Sequence, residues 1–330
     1  MMARKISDKY RAYQQVTLDR FAQLKANEEE LNRIFIDIYG LQDELTPDVA
    51  EKDVTVYRII DHPNEEERKM AYVISMKEEI VSLLSYMVGC MMGRYSPYLD
   101  GLLFAGGAWD YAAICARIEA AGPENDWYDP ALGLFLPDRD GIVPITDDEY
   151  FADDIVSRTV EFVRKVYGAE TLEENLKFIA DALQGTGDSP REVIRNYYLK
   201  DFYNDHLKTY QKRPIYWQFD SGKQNGLKAL MYLHRYEPDT VARLRTDYVF
   251  ELQDRLRVQL EDARKTAETA EGRLRAAASK RALKLEKQQI EVNKFEEQVH
   301  HLADMRIPLD LDDGVKVNYQ KLADILTKIK

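Results

Sequence analysis

A charged, helix-forming stretch at residues 239–305 most constrains how this chain can fold. Its apolar residues recur three and four positions apart: Val249, Leu252 and Leu256, then Ala263, Ala267, Ala270, Leu274 and Ala277, then Val292, Phe295, Val299 and Leu302. This spacing with charged flanks predicts a coiled coil. One unbroken helix would span roughly 95 Å. We therefore favour a hairpin of two antiparallel helices that turns near Gly272 or within residues 276–279.

The N-terminal half contains further helix signals. Apolar residues at helical spacing predict one long helix over residues 7–44, and Gly40 and Pro47 mark its end. This helix makes residues 1–47 a predicted connector. Residues 54–60 alternate apolar and polar side chains, as a strand would. Acidic residues after Pro63 favour the start of a helix, and residues 68–89 predict a buried amphipathic helix.

Glycine and proline are frequent in residues 95–146, a pattern that favours turns and short strands. We expect strands at residues 102–105, 132–136 and 142–145. Helices are then predicted from Asp147 to Tyr167, from Thr171 onward, and from Ser189 to about Tyr210 as one helix or a closely joined pair. Ser189 followed by Pro190 is a typical helix start.

Two apolar runs at residues 212–219 and 227–232 flank a polar turn, which predicts a β-hairpin. Residues 310–317 are expected to form a loop or short strand, and residues 319–329 a last helix. The predicted fold is α+β and predominantly helical. Its parts are a connector (1–47), a mixed target-recognition-like domain (48–238), a helical spacer (239–305) and a C-terminal helix (306–330).

Composition and missing motifs restrict the function. The formal net charge of −12 means that any nucleic-acid contact must use a local basic face. No apolar run is long enough for a membrane span, and no secretory signal is visible. Two cysteines, Cys90 and Cys115, suit a reducing cytoplasm, and Cys90 in its apolar setting suits a buried, inert thiol.

A catalytic site is not predicted in this chain. No Pro-Pro motif for a flipped adenine occurs, and Gly106-Gly107 lacks the surroundings of a cofactor-binding loop. No metal site is expected, because the aspartates at residues 310–313 suit a capping or turn role better than a calcium loop. His206 and His234 are expected to be core or surface histidines. The chain alone is therefore expected to be inactive and to bind no cofactor.

A basic, aromatic segment at residues 191–245 is the positive signal. It carries eleven basic and six acidic side chains in an acidic protein. Cations neutralise phosphates, amides read base edges and aromatic rings stack. The candidates for DNA contact are Arg191, Arg195, Lys208, Lys212, Arg213, Tyr216, Trp217, Lys223, Gln224, Asn225, Lys228 and Arg235. On this segment alone, a solvated basic face over an aromatic core is the somewhat better explanation.

Several motifs resemble the C-terminal third of the PglX family, the adenine-specific DNA methyltransferases of bacterial BREX phage-exclusion systems. They occur in the order of the family and cover nearly the whole chain. The matching segments are 27–36 (NEEELNRIFI), 39–42 (YGLQ), 89–96 (GCMMGRYS), 145–151 (ITDDEYF), 189–197 (SPREVIRNY), 212–217 (KRPIYW) and 309–316 (LDLDDGVK).

The resemblance implies a DNA target-recognition and spacer module. In the family, an upstream domain binds S-adenosylmethionine and methylates adenine at N6, and this chain is expected to begin after that domain. The implied partners are double-stranded DNA, the methyltransferase domain and other BREX subunits. The alternative is an interaction scaffold whose basic face meets other BREX subunits or an acidic DNA mimic.

Overall fold

The computed structural model describes residues 4–54 and 75–329 of the chain. The chain divides into two compact units, Met1–Ile80 and Val81–Lys330. Nearly all of the strand predicted at residues 54–60, and the first part of the helix predicted at residues 68–89, lie outside the described residues. The remainder of that helix is α2, which spans Met76–Met91.

The first unit is dominated by one long helix, α1, at Ile6–Tyr39. The predicted helix is confirmed, although it ends five residues earlier than expected. Gly40 ends it because its φ of 66° is left-handed, and its N–H bonds back to carbonyls of the last turn. The following segment folds back on α1, where the Val49 N–H donates to Glu29 at 3.2 Å.

In the second unit, a helix interrupts the glycine- and proline-rich region. Helix α3 spans Tyr111–Ala121, and Asp110 caps it by accepting from the Ala113 N–H at 3.0 Å. The sequence pattern does not predict this helix, because the turn residues on both sides dominate the pattern. Of the three strands predicted there, only Ile142–Ile145 forms, as β1.

Residues 102–105 and 132–136 are irregular, so the strands predicted there are wrong. Side chains replace the strand partners that their backbone would need. Arg117 donates to the Leu103 carbonyl at 3.1 Å, and Lys165 to the Leu134 carbonyl at 2.8 Å. The Phe135 N–H donates to the Tyr98 hydroxyl at 2.9 Å.

Four helices follow: α4 (Ile155–Tyr167), α5 (Leu172–Leu183), α6 (Pro190–Lys200) and α7 (Phe202–Thr209). The predicted starts at Thr171 and Ser189 are confirmed, and α6 and α7 are the closely joined pair. The predicted start of α4 at Asp147 is wrong. The buried Asp154 caps α4 instead, by accepting from the Val156 N–H at 3.0 Å.

Over residues 4–54 and 75–329, the sheet consists of three antiparallel strands in the order β1-β3-β2. Strands β2 (Tyr216–Asp220) and β3 (Lys228–Tyr232) form the predicted hairpin, and β1 pairs with the other edge of β3. Met231 lies opposite Ile142 on one side and Trp217 on the other. Because all three side chains are buried, this register holds the sheet in the core.

The helical region begins with α8 (Thr240–Arg243) and one π-helical stretch (Leu244–Val249). Helices α9 (Phe250–Thr269) and α10 (Gly272–Met305) follow, joined at Ala270 and Glu271. They run antiparallel, because the side-chain contacts pair Arg245 with Glu296, Gln253 with Asn293 and Arg264 with Glu286. The turn lies within two residues of Gly272; regular coiled-coil packing stays a prediction.

Apolar side chains of α9 and α10 continue the core of the sheet. Leu252, Leu256, Val292 and Phe295 are almost completely buried and form one cluster with Trp217. Burial of such side chains contributes about 1.5–3 kcal/mol each. The hairpin is therefore part of the same hydrophobic core as the sheet.

The C-terminal segment differs from the predicted helix at residues 319–329. Helix α11 spans Val315–Lys321, after a 3₁₀ turn at Leu311–Asp313 in which Asp310 caps the Asp312 N–H at 3.0 Å. The last residues do not continue the helix but pair with the outer edge of β2, where Leu326 lies opposite Phe219. The Thr327 N–H donates to the Gln218 carbonyl at 2.8 Å. Among the described helices, none has the length and apolar character needed to cross a membrane.

Candidate nucleic-acid interface

Four of the twelve predicted DNA contacts are buried. Arg195, Tyr216, Trp217 and Arg235 each expose 8% of their surface or less. A side chain this enclosed has no surface with which to contact a phosphate or a base. The structure gives all four a role in holding the fold together.

Arg195 on α6 is held by Asp154, the capping residue of α4. Its guanidinium nitrogens lie 2.8 and 2.9 Å from the two carboxylate oxygens, and it also donates to the Thr146 carbonyl at 2.7 Å. This geometry is a bidentate ion pair, the strongest type of hydrogen-bonded pair. Arg195 therefore joins α6, α4 and the end of β1.

Arg235 follows β3 and is stacked on Trp109, with 3.7 Å between its guanidinium carbon and the ring centroid. It donates to the Met92 carbonyl at 3.2 Å and to the Arg139 carbonyl at 2.8 Å. Burial lowers the pKa of Arg235 to about 10, against the opposing effect of nearby Asp138 and Asp140. The group stays cationic at neutral pH and ties three loops together.

Three further candidates are engaged near the surface. Arg191 forms a two-point pair with Glu173 at 2.9 and 2.6 Å, and Lys208 lies 3.1 Å from Asp205. The half-buried Lys228 donates to the Leu199 carbonyl at 2.8 Å. Arg191 and Lys208 can leave these exposed carboxylates for another anion at little cost in free energy, because such ion pairs contribute about 0–1 kcal/mol.

The remaining five candidates form two outward-facing groups. Lys212 and Arg213 are exposed just after α7, and Lys223 and Gln224 are exposed in the β2–β3 turn, with Asn225 half-buried beside them. Within residues 4–54 and 75–329, no ion pair involves Lys212, Arg213 or Lys223. These cations are available to an external anion.

Helix α10 holds the β2–β3 turn at its amide side. The carboxylate of Glu291 accepts from the Gln224 N–H at 2.8 Å, from the Gly226 N–H at 3.0 Å and from the Ser221 hydroxyl at 3.0 Å. Backbone N–H groups that converge in this way form a cavity suited to an anion. In this protein the Glu291 carboxylate occupies the position of that anion.

The same helix also holds the carbonyl side of the turn. The buried Gln288 directs its side-chain nitrogen to the carbonyls of Gln224 at 3.2 Å and Asn225 at 3.4 Å, and to Asp147 at 2.9 Å. Glu291 and Gln288 lie three residues apart, on one face of the helix. The turn is therefore fixed to α10 through both its donors and its acceptors.

A row of lysines on α10 adjoins this turn, and the sequence analysis did not single it out. We define the lysine ridge as Lys280, Lys284, Lys287 and Lys294, which are exposed and follow helical spacing on one face. The ridge extends about 21 Å along the helix. Lys284 pairs with Asp147. In the part of the chain that the structure describes, the other three form no ion pair.

A charge count could have found the ridge. Residues 272–294 contain seven basic side chains but only Glu286 and Glu291 as acids, although the chain as a whole is strongly acidic. The apolar spacing predicts a helical spacer here and carries no information about the charge of the exposed face. The local excess is larger in proportion than that of residues 191–245.

Two shallow grooves lie along the ridge. A groove of about 450 Å³ lies between the turn and α10 and is lined by Gln224, Lys287 and Lys294 among others. A second, of about 660 Å³, is lined by Gln224, Lys280, Lys284 and Lys287 and also by Asp147 and Asp148. Gln224 and Lys287 line both grooves, so the turn and the ridge form one surface, which we call the basic face.

The buried titratable groups elsewhere are structural. His206 is 3% exposed and its Nε2 accepts from the Tyr216 N–H at 3.2 Å. Burial and the Arg94 charge lower the pKa of His206 to about 3, so the ring is neutral. Burial raises the pKa of the Cys90 thiol. The core position of His206 and the burial of Cys90 are thus confirmed.

The comparisons with known proteins agree with the motif resemblance. The chain is 44% identical over 328 residues to the adenine-specific methyltransferase PglX of Lacticaseibacillus casei (strain Zhang), and these residues are 97% of the chain and 24% of the relative. It is 38% identical over 317 residues to the adenine-specific methyltransferase BrxX of Escherichia coli O9:H4 (strain HS), covering 94% and 25%. No family model matches the chain.

The chain spans about a quarter of the length of these curated relatives. The resemblance to the C-terminal region of PglX-type proteins is confirmed by these matches. Both relatives are adenine-specific methyltransferases by name.

Proposed function

We propose that this chain is the DNA target-recognition and spacer module of an adenine-specific (N6) DNA methyltransferase used in bacterial phage defence of the BREX type. In this proposal the chain has no catalytic site of its own. S-adenosylmethionine binds in the remaining part of the longer protein, whose methyltransferase domain is one partner. Double-stranded DNA and other BREX subunits are the others.

The basic face carries the proposal. Lys280, Lys287 and Lys294 are exposed, line the two grooves and form no ion pair among the described residues. Lys223, also exposed and without an ion pair there, precedes the groove residue Gln224 in the turn. The chain is otherwise acidic, which repels DNA from the rest of the surface. Phosphate contacts by lysines provide most of the affinity of DNA-binding proteins. The basic face is therefore the local positive surface that an acidic chain needs in order to bind DNA.

The basic face overlaps only in part with the DNA contacts predicted from the sequence. Of the twelve candidates, Lys223, Gln224 and Asn225 lie on the basic face, and Lys212 and Arg213 are exposed elsewhere on the unit. The aromatic residues of the segment serve the core. The two cysteines, free and buried, fit a cytoplasmic protein.

Duplex binding measured by fluorescence anisotropy over a salt series tests the proposal. We expect steep salt dependence for the wild-type chain. Replacing the three unpaired ridge lysines by glutamine should reduce the slope of log K against log salt by about 0.9 for each phosphate that the variant no longer neutralises. The matched control replaces three exposed lysines that line neither groove: Lys200, Lys265 and Lys316. An equal effect of both triple variants would contradict the proposal.

An acidic protein partner is the second candidate, because two apolar side chains lie among the lysines. Leu283 and Ile290 are 60% and 66% exposed and line the grooves. Apolar contacts favour a protein surface, such as a DNA-mimicking inhibitor or another BREX subunit, over a phosphate backbone. Leu283→Ser with Ile290→Ser should weaken such a partner and leave duplex binding unchanged.

A further inference from the structure

The β2–β3 turn presents two amide side chains from a backbone that is held in place. Gln224 is exposed and Asn225 half-exposed, and among the described residues neither side-chain amide has a hydrogen-bond partner. Their main-chain groups, in contrast, are bound by Glu291 and Gln288 at distances of 2.8 to 3.4 Å. The backbone is fixed while the amides are available to a ligand.

Two glycines allow the helix to approach this closely. A Cβ on Gly222 would lie 2.6 Å from the Glu291 Oε2, and a Cβ on Gly226 would lie 2.6 Å from the Val292 Cγ2. Asn225 has a left-handed φ of 53°, which asparagine tolerates better than most residues. The turn sequence is therefore adapted to contact with α10.

We propose that Gln224 and Asn225 read base edges in the DNA major groove, and that Glu291 and Gln288 are positioning residues for them. The proposal rests on the proposed function. An amide offers one donor and one acceptor, which match N7 and the N6 amino group of adenine. Strands β2 and β3 are buried in the core, so the exposed turn between them is the part that approaches the groove.

The neighbouring lysines give the turn its register on the duplex. Lys287 and Lys294 lie beside Glu291 on α10, and Lys223 precedes Gln224 in the turn. Phosphate contacts fix orientation without reading sequence, whereas base contacts carry the sequence information. A fixed turn loses little conformational freedom on binding, which favours discrimination between sequences.

Selection from a pool of duplexes with a randomised core tests the inference on the full 330-residue chain. The wild type should enrich a motif that contains adenine. The variant Gln224→Ala with Asn225→Gly, in which glycine retains the left-handed backbone, should lose preference at one or two motif positions by about tenfold. Its salt slope and its affinity for unrelated duplex should stay unchanged.

Lys223→Gln is the matched control, since it alters the adjacent residue of the same turn. It should enrich the wild-type motif with a salt slope smaller by about 0.9. If the double amide variant enriches the full wild-type motif, the inference is overturned and the proposed function stands. If the wild type shows no salt-dependent duplex binding, both are overturned.

The variant Glu291→Gln distinguishes a positioning role of Glu291 from a general loss of folded structure. The replacement exchanges one acceptor oxygen for a donor, so it cannot accept from both the Gln224 and Gly226 N–H groups. It also removes a negative charge from the basic face. We expect binding to unrelated duplex to rise or stay equal while the sequence preference falls. A parallel loss of both, in a protein that still melts cooperatively, would overturn the positioning role.

Discussion

Arg195 and Asp154 form a bidentate ion pair beneath the surface, with nitrogen–oxygen distances of 2.8 and 2.9 Å. The Asp154 side chain is fully buried and that of Arg195 is 9% exposed. Asp154 also caps α4 through the Val156 N–H. One carboxylate therefore joins two helices, and the pair links the start of α4 to the middle of α6.

We predict that Arg195→Met destabilises the protein by about 3–5 kcal/mol, because it leaves a buried carboxylate without its cation. Chemical denaturation measures the change in the free energy of unfolding. Arg191→Met, one turn earlier on α6, is the matched control, since its pair with Glu173 is largely exposed and should matter by about 1 kcal/mol or less. Equal losses in the two variants would contradict the prediction.

Three carboxylates surround the Tyr248 hydroxyl on the π-helical stretch and create a pH-dependent site. Asp153 and Asp140 lie 2.7 and 3.1 Å from that hydroxyl, and Asp138 lines the same cavity. Burial, followed by the Asp140 charge, raises the pKa of Asp138 to about 8. The folded state therefore holds a proton that the unfolded state releases at much lower pH.

Because the folded pKa of Asp138 is raised, its stabilising effect is complete at low pH and is lost as pH rises through about 8. His206 acts in the opposite sense, but only below about pH 6.5, since its folded pKa is about 3. Between pH 6.5 and 8 we expect the free energy of unfolding to fall by up to about 2 kcal/mol.

Asp138→Asn should flatten this decline, since the amide oxygen can still accept from the Gly141 N–H, which lies 2.8 Å from the Asp138 carboxylate. Urea denaturation at a series of pH values provides the measurement, with His206→Gln as the control for the lower range. A wild-type protein whose stability is constant or rises from about pH 6.5 to 8 would disprove the assignment.

Local signals predicted much of the helical framework. Gly40 predicts the end of α1, and Ser189 with Pro190 predicts the start of α6. The apolar spacing around Val292 predicts the helical hairpin. These predictions succeed because caps and periodicity act over a few residues. The β2–β3 hairpin was predicted for the same reason. Helix α3 was missed, since its signal was weaker than that of the surrounding glycines and prolines.

Long-range pairing could not be predicted from these patterns. The irregular segment at residues 132–136 is apolar and lies among turn residues, which favours a strand, yet its backbone binds Tyr98 and Lys165, which are distant in sequence. The same limit applied to the candidate site. A charged residue such as Arg195 is usually exposed, and only the position of Asp154 across the fold explains its burial.

Trp217 packs in the hydrophobic core, whereas an aromatic side chain that stacks on DNA bases would be exposed. It is fully buried in β2 and contacts Tyr319 edge-on, with 6.0 Å between the ring centroids. Trp217→Ala should destabilise the protein by about 3–5 kcal/mol, as is usual for deletion of a large core side chain. At temperatures where the variant is folded, its affinity for duplex DNA at fixed salt should equal that of the wild type. A reduced affinity would show that the residue contacts DNA.

The contact of the turn with α10 can be tested through Gly226 and Val292. A Cβ at Gly226 would lie 2.6 Å from the Val292 Cγ2, in a part of the core where Val292 is fully buried. We expect Gly226→Ala to destabilise the protein by about 1–3 kcal/mol through overpacking. In a Val292→Ala background the clashing methyl is absent, so the added cost of Gly226→Ala should fall below about 1 kcal/mol. Denaturation of the four proteins of this double-mutant cycle gives the coupling energy, and strictly additive effects would mean that the turn does not rest on α10 at this point.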